Sequence, residues 1–378
     1  MKKIYFDAAS TTIPRKEVLD VFSTTSLSTF GNASSNHKLG FEADELLSKS
    51  RNQIAKYLDV KSEEIIFTSG ATESNNIAIK GVAFHNLSWA KNIITTKVEH
   101  PSVLNVFKKL ETDGFNVTYL DCDKEGNLDF QTLEKSLDNK TSLVSIMSVN
   151  NELGFIFPLE KIYNLIHSKS KAFLHTDATQ GIAKTEIISN TYDLLSFSLH
   201  KIEGLKGCGI LVKKSNVNLY SIIQGGNQEF GIRSGTSPLP LIASSATAVR
   251  LAFSNMNIRV ANAKNLKDYL KNELEKIEEV EILSPNNSSP FILSFALSKH
   301  KASVISQGLS DKGIYVGSKA ACSEKLKSYS LVAFNAGYSK EISENIIRLS
   351  FSGNEEISDG ELFIKELKEL LSTIKESK

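Results

Sequence analysis

Two short apolar runs that end in polar clusters constrain the fold of this chain more than any other feature. Residues 172–174 (AFL) lead into residues 175–181 (HTDATQG), and residues 193–195 (DLL) lead into residues 196–201 (SFSLHK). Short apolar runs of this kind are typical of buried strands. In open α/β sheets, ligands bind at the carboxyl ends of the strands. The sequence therefore predicts one sheet edge that carries Asp177, Gln180, Ser198, His200 and Lys201.

Composition places the chain among ordinary globular proteins. It has 378 residues, of which 41% are hydrophobic and 23% are charged, enough for one large or two ordinary domains. Lys and Arg total 44 against 43 Asp and Glu, so the formal net charge is +1. This balance gives no general electrostatic reason to bind nucleic acid or an anionic membrane, and we expect neither partner.

The three cysteines, Cys122, Cys208 and Cys322, are far apart and odd in number. They predict no disulfide framework, and no Cys-x-x-Cys metal motif is present, so we predict no metal site. The first residues contain no long apolar run, because Asp7 interrupts them, and no stretch is long enough for a membrane helix. These features favour a cytoplasmic protein. We interpret Cys122 and Cys208 as structural residues.

A turn rich in small residues is a candidate phosphate site. Residues 64–68 (EIIFT) predict a strand, and the turn that follows, with Ala71 and Thr72, opens a helix. A helix N-terminus presents free N–H groups and the positive end of the helix dipole, which suit a phosphate. Most such turns are simple helix caps, so the turn alone leaves both interpretations open.

Two further predicted strands are each followed by a polar residue of interest. Residues 93–96 (IITT) precede His100, and the apolar-rich run 142–149 (SLVSIMSV) precedes Asn151. A lone histidine is more often structural than catalytic, and adjacent amides can form an ordinary turn. Each residue therefore has a plain structural explanation when it is considered alone.

The combination of these motifs resembles a known family. Residues 177–180 (DATQ) and 196–201 (SFSLHK) are similar to the cofactor signature of the class V aminotransferase-like enzymes that use pyridoxal 5'-phosphate (PLP), and most of all to the cysteine desulfurases. The resemblance extends from residues 6–9 (FDAA) to residues 347–350 (IRLS). It implies the α/β fold type I of PLP-dependent transferases, with a large domain built on a mainly parallel seven-stranded sheet and a smaller α+β domain.

The resemblance also implies the domain boundaries. We expect the large PLP-binding domain to span residues 15–255, and the small domain to combine residues 1–14 and 256–378.

The same resemblance implies a role for each motif. Lys201 would form a Schiff base with PLP, Asp177 would contact the pyridine nitrogen, and His100 would lie over the ring and move protons. Thr236, in the loop 224–236 (QGGNQEFGIRSGT), would reach the phosphate of the other subunit in a homodimer, while Arg233 supports the loop. The full expected cofactor set is Ala71, Thr72, His100, Asn151, Asp177, Gln180, Ser198, His200, Lys201 and Thr236.

The sulfur chemistry is implied by a second motif. Residues 316–324 (VGSKAACSE) resemble the desulfurase loop that carries the nucleophilic cysteine, which matches Cys322. Lys319 could favour its thiolate or could point to solvent. Arg348 matches the arginine that grips the substrate carboxylate together with Asn151. The chain departs from the family pattern at Leu199, Leu205, Gly317, Lys319 and Ala320.

The resemblance implies conversion of L-cysteine to L-alanine, with transfer of sulfur to Cys322 as a persulfide. An acceptor protein, such as an iron–sulfur scaffold or a tRNA-thiolation protein, would then take the sulfur. Selenocysteine lyase or another class V reaction is the nearer alternative. A non-catalytic scaffold with the same fold is the alternative from another class, and the retained Lys201, Asp177, His100, Arg348 and Cys322 argue against it.

Overall fold

The computed structural model describes residues 3–318 and 329–374. The strands in these residues are β1 (Ile4–Phe6), β2 (Ile65–Thr68), β3 (Asn92–Thr96), β4 (Asn116–Leu120), β5 (Thr141–Ser145), β6 (Phe173–Asp177), β7 (Leu194–Ser198), β8 (Gly209–Lys213), β9 (Val280–Ile282), β10 (Ile292–Leu297), β11 (Ile314–Ser318) and β12 (Ile346–Ser350). The helices are α1 (Lys16–Ser28), α2 (Lys38–Leu58), α3 (Ala71–His85), α4 (Pro101–Thr112), α5 (Phe130–Ser136), α6 (Leu159–Lys169), α7 (Leu239–Ser254), α8 (Met256–Leu274), α9 (Ala302–Asp311), α10 (Leu331–Asn335), α11 (Lys340–Glu344) and α12 (Ile357–Thr373).

The larger sheet has seven strands in the order β2-β8-β7-β6-β5-β3-β4. The neighbours from β7 to β4 run parallel, whereas β8 is antiparallel to both β2 and β7. This arrangement confirms the predicted mainly parallel seven-stranded sheet. The register pairs Asp177 of β6 with Ser196 of β7, so the two polar clusters meet at the same sheet edge, as the sequence predicted.

Both faces of the larger sheet are covered, which explains why its central strands are apolar throughout. Every residue of β5 and β7 is buried. One hydrophobic cluster joins β7 and β8 to α2 and α7, and another joins the same sheet to α3 and α4. The strand predicted over residues 142–149 is shorter, because β5 ends at Ser145. The N–H groups of Ile146 and Ser148 still donate to carbonyl oxygens of His175 and Asp177.

The smaller sheet has the strand order β1-β11-β12-β10-β9 and packs against α8, α9 and α12. Its core contains the edge-to-face contacts of Phe6 with Phe351 and Phe363, at ring-centroid distances of 5.4 and 5.9 Å. Strand β1 pairs with β11, so the start of the chain joins a sheet built mostly from its last hundred residues. The α+β character agrees with the predicted smaller unit. The boundaries near residues 15 and 255 stay a prediction.

The sequence pattern Ser358-x-x-Glu361 predicts a capping box at the start of the last helix, and the structure differs from this prediction. Ser358 and Glu361 match the capping-box pattern in the sequence, but the helix begins earlier, at Ile357. Glu356 and Asp359 form the capping box instead. A carboxylate accepts hydrogen bonds from the free N–H groups of a first turn as well as a serine hydroxyl does. Residues 356 and 359 can therefore form the box two positions earlier, and the predicted capping residues were wrong.

Within residues 3–318 and 329–374, no helix has the length and apolar character required to cross a bilayer.

Candidate active site

A cavity of about 460 Å³ lies at the carboxyl ends of the strands of the larger sheet. Residues of the smaller sheet, from β11 and β12, close its other side. The predicted site residues that line it are Ala71, Thr72, His100, Asn151, Asp177, Gln180, Ser198, His200, Lys201 and Arg348. The cavity therefore brings together ten residues that the sequence spreads over almost three hundred positions.

Asp177 is the buried carboxylate of this cavity. Its Oδ1 accepts a hydrogen bond from the backbone N–H of Thr179 at 2.9 Å, and its Oδ2 accepts one from Nδ2 of Asn75 at 2.8 Å. Two N–H donors stabilise the ionised form of a carboxylate. The side chain is therefore suited to hold a proton on the ring nitrogen of a bound heterocycle.

Lys201 projects its amine into the same cavity. It lies in a short 3₁₀ turn, Leu199–Lys201, directly after β7. Its Nζ donates to the carbonyl oxygens of Ala9 at 2.5 Å and Ser10 at 2.7 Å. Leu199, a departure from the family pattern, is fully buried in the core cluster formed with β7 and β8. Leu199 therefore fills space beneath the turn, and the lysine remains at the cavity.

His200 is neutral at physiological pH. Burial, followed by the charges of Lys201, Lys206 and Lys184, lowers the pKa of its imidazole to about 4. Its Nδ1 lies 3.0 Å from Oγ1 of Thr11, and its carbonyl oxygen accepts from the Thr12 N–H. These contacts attach the turn after β7 to the turn after β1.

The N-terminus of α3 meets the cavity at Ala71 and Thr72. The backbone N–H of Ala71 donates to Oγ of Ser198 at 2.7 Å. The turn before α3 packs closely against β8, and this contact requires a glycine at the start of β8. A Cβ at Gly209 would lie 2.5 Å from Cα of Gly70. The result is the positive end of a helix of 15 residues at one end of the cavity, which suits a phosphate group.

Arg348 of β12 lies on the side of the cavity that the smaller sheet closes, and three hydrogen-bond partners hold its guanidinium. Its Nη2 donates to Oδ1 of Asp7 at 2.7 Å and to Oγ of Ser10 at 2.9 Å. Its Nη1 donates to the carbonyl oxygen of Asn151 at 2.9 Å. Gly317, a departure from the family pattern, packs closely against this pair, since a Cβ there would lie 2.9 Å from Asp7 Oδ1.

Two buried titratable groups surround Asp177. Burial raises the pKa of Glu99, a hydrogen bond from the Met147 N–H opposes this effect and the nearby charge of Asp177 adds to it, so that the pKa is about 8. Burial lowers the pKa of His175 to about 4, with the charge of Asp177 opposing it. Both shifts favour the neutral form of the group that lies beside Asp177.

Lys184 lies behind Gln180 and is also buried. Its Nζ is 3.4 Å from Oε1 of Gln180, whose Nε2 donates to the Ala9 carbonyl oxygen at 2.9 Å. Burial, with the charges of Arg259 and Lys201, lowers the pKa of Lys184 to about 7. These contacts hold the amide of Gln180 at the cavity wall.

Sequence reasoning missed several residues of the site. The family resemblance includes residues 6–9 at the start of the chain, but the individual contacts of Asp7 and Ser10 were not predicted. Asn75 and Ser102 were also missed. A signal for Asn75 was present, since it follows Ala71 by four positions and so lies on the same helix face. The sequence contains no comparable signal for Ser102.

Two predicted site residues are not among the described residues that line this cavity, for different reasons. Thr236 is exposed, and among the described residues it is not one of those that line the cavity. The ion pair of Arg233 with Glu73, at 2.7 Å, holds its loop, in agreement with the supporting role predicted for Arg233. The buried pair of Arg51 with Glu229, at 2.9 Å, anchors the same loop. Cys322, with Lys319 and Ala320, lies outside the described residues.

The other two cysteines are buried and free of disulfides. Burial raises the pKa of Cys122 to about 12 and that of Cys208 to about 11. Both therefore remain thiols at neutral pH, and a thiol is a poor nucleophile. This agrees with the structural role predicted for them.

The sheet order and the position of the cavity define an α/β protein with the type I fold of PLP-dependent transferases. The sequence pattern of the family described as "Aminotransferase class-V" matches residues 4–363. The chain belongs to this family, whose members generally use PLP.

Individual relatives agree with this assignment. The chain is 39% identical over 367 residues to a protein named cysteine desulfurase IscS from Buchnera aphidicola subsp. Schizaphis graminum, an alignment that covers 94% of this chain and 90% of the relative. A solved structure titled "NIFS-LIKE PROTEIN" superposes with a TM-score of 0.93 and 34% identity, covering 99% of this chain and 100% of that chain. A structure titled "SspA in complex with cysteine" has a TM-score of 0.82 and 32% identity, covering 93% of this chain and 99% of that chain.

Proposed function

We propose that this protein is a PLP-dependent cysteine desulfurase. The observation that carries the proposal is the convergence of Lys201, Asp177 and Arg348 on one cavity at the edge of the sheet. An amine, a carboxylate and a guanidinium are the groups that a PLP enzyme needs to bind its cofactor and an amino-acid substrate. Relatives named cysteine desulfurase match over most of the chain, which supports cysteine as the substrate.

The residues present fit the cofactor. The N-terminus of α3, with Ala71 and Thr72, would hold the phosphate, Asp177 would hold the ring nitrogen, and Lys201 would form the covalent attachment. The remaining proposed contacts are His100, Asn151, Gln180, Ser198 and His200. When bound, the protonated pyridine ring accepts electrons from the substrate Cα.

Arg348 would bind the carboxylate of L-cysteine, with Asn151 beside it. A guanidinium binds a carboxylate through paired N–H donors, so the position of Arg348 at the cavity wall suits this role. The Asp7 carboxylate already neutralises the guanidinium and orients it, at 2.7 Å from Nη2. Lys201 and His100 would then move protons at the substrate Cα and Cβ.

The sulfur step would use Cys322. Its thiolate attacks the sulfur atom of the substrate, a new S–S bond forms, and the C–S bond breaks with its electron pair left on the substrate carbon. Protonation of that carbon gives L-alanine. The balance is one enzyme thiol and one L-cysteine for one enzyme persulfide and one L-alanine, so no external oxidant is required. We also propose transfer of the persulfide sulfur to an acceptor protein, such as an iron–sulfur scaffold.

The function is tested by incubating the protein with PLP and L-cysteine and measuring alanine and sulfide, with and without a reductant. We expect alanine in both cases, with multiple turnovers when the reductant releases sulfide from the persulfide. The same protein with PLP but without L-cysteine is the blank. Absence of alanine from a protein that has bound PLP would contradict the desulfurase assignment.

We further propose a homodimer in which Thr236 completes the phosphate site of the other subunit. Thr236 is exposed on a loop that Arg51 and Arg233 hold in place. Large apolar side chains are also exposed on α1, on α2 and in loops near them. These are Leu27, Phe30, Phe41 and Phe230, which are 83%, 69%, 62% and 57% exposed. Exposed apolar residues of this size favour burial against another protein surface.

The proposed homodimer can be tested by sedimentation of the native protein and of a Thr236 variant. We expect the protein to sediment as a dimer at assay concentration and Thr236→Ala to remain dimeric while it binds PLP more weakly. Loss of one hydrogen bond to a charged phosphate corresponds to roughly 1.5 to 3 kcal/mol. Ser237→Ala, one position along the same loop, is the matched control. A monomer with full activity would refute the proposal.

A further inference from the structure

A chain of hydrogen bonds connects Asp177 to His100 through two residues that no motif identified. Nδ2 of Asn75 lies 2.8 Å from Oδ2 of Asp177 and 2.9 Å from Oγ of Ser102. Oγ of Ser102 lies 2.8 Å from Nδ1 of His100, and the backbone N–H of Ser102 donates to the same nitrogen at 3.1 Å. The chain joins the carboxylate of β6 to the first turn of α4 through α3.

The Asp177 carboxylate determines which atoms donate and which accept in this series of hydrogen bonds. An ionised carboxylate only accepts hydrogen bonds, so it must face the amide nitrogen of Asn75 rather than the amide oxygen. The two hydrogens of Nδ2 then point to Asp177 and to Ser102. Asn75 is fully buried and Asp177 is 5% exposed, so water does not compete for the hydrogen bond between these two side chains.

The same donor and acceptor roles extend to the imidazole of His100. Because Oγ of Ser102 accepts from Asn75, its own hydrogen is available to donate to Nδ1 of His100. That nitrogen also accepts from the Ser102 N–H, so it faces two donors and carries no proton itself. The proton of the neutral imidazole is therefore on Nε2.

We propose that Asn75 and Ser102 are positioning residues that transmit the charge of Asp177 to the tautomer of His100. The consequence for the reaction is that the neutral ring can deliver a proton only from Nε2. The relevance to catalysis rests on the proposed function, in which Asp177 and His100 act on the cofactor and the substrate. The tautomer itself follows from the hydrogen bonds alone.

The experiment is ¹⁵N NMR of histidine-labelled full-length protein, with and without added PLP, at a pH where the imidazoles are neutral. The two ring nitrogens have different shifts in each tautomer, and the signal lost in His100→Gln identifies His100 among the seven histidines. We expect the Nε2–H tautomer in the native protein. In Ser102→Ala and Asn75→Leu the ratio of the two tautomers falls roughly fivefold, as expected for the loss of one hydrogen bond.

Two further variants make the result specific. Ser102→Thr retains a hydroxyl and keeps the native ratio. Asn76→Ala changes the next residue of the same helix, whose amide donates to the Thr72 carbonyl oxygen and not to this chain of bonds, and it also keeps the native ratio. An Nδ1–H tautomer in the native protein, or unchanged ratios in both Ser102→Ala and Asn75→Leu, would overturn the proposal. Failure to bind PLP would instead overturn the proposed function and leave the tautomer readable.

Discussion

We expect Lys201→Ala to abolish turnover of L-cysteine and to remove the absorption band of PLP bound covalently to the protein. The amine is held at the cavity by the carbonyl oxygens of Ala9 and Ser10, and alanine retains no group that could attach the cofactor or move a proton. Loss of a proton-transfer group alone costs roughly 10² to 10⁴ in rate, and loss of the covalent attachment adds to this.

The assignment to Lys201 is checked by reduction with borohydride, which fixes the cofactor to the lysine that carries it. Digestion and mass spectrometry should locate the added mass on Lys201. Lys206→Ala is the matched control, since Lys206 is an exposed lysine of the same loop and should retain both the absorption band and turnover. An unchanged band in Lys201→Ala would show that another lysine carries the cofactor.

Cys322→Ser separates cofactor binding from sulfur transfer. The variant should bind PLP and change its absorption when L-cysteine is added, because a residue that only accepts sulfur is not needed for either event. It should form no persulfide and essentially no alanine, since a serine hydroxyl does not take sulfur. The measurement is mass spectrometry of the intact protein after a short exposure to L-cysteine.

The other cysteines supply the controls for this experiment. Cys122→Ser and Cys208→Ser change buried thiols whose pKa values burial raises to about 12 and about 11. We expect each to lower stability by roughly 1 to 3 kcal/mol, because a hydroxyl replaces a buried thiol, and to leave persulfide formation intact. Sulfur located on Cys122 or Cys208, or normal desulfuration by Cys322→Ser, would assign the nucleophile elsewhere.

The apolar runs were sufficient to predict individual buried strands and their shared functional edge, whereas the seven-stranded sheet was implied by the family resemblance. Buried parallel strands require continuous apolar residues, and polar residues can begin only where burial ends. The amino-acid order alone therefore assigns Asp177 and Lys201 to the same sheet edge. The helix start at Ala71 was predicted for a similar local reason, since small residues in a turn leave backbone N–H groups accessible.

Contacts between distant parts of the chain could not be predicted in this way. Asp7 and Arg348 are 341 positions apart and meet only because β1 and β12 belong to the same small sheet. Gly317 packs closely against that same contact, a proximity that the sequence did not predict. The exposed position of Thr236 likewise depends on how its loop packs on α2 and α3.

The sequence by itself determined the fold class, the family and the chemical groups of the site, because strand periodicity and motif order are local properties. The tertiary structure alone decided how those groups are held. The chain of hydrogen bonds from Asp177 through Asn75 and Ser102 to His100 combines residues of three elements. The direction of its hydrogens depends on distances of about 3 Å between side chains, and such distances exist only once helices and strands have packed.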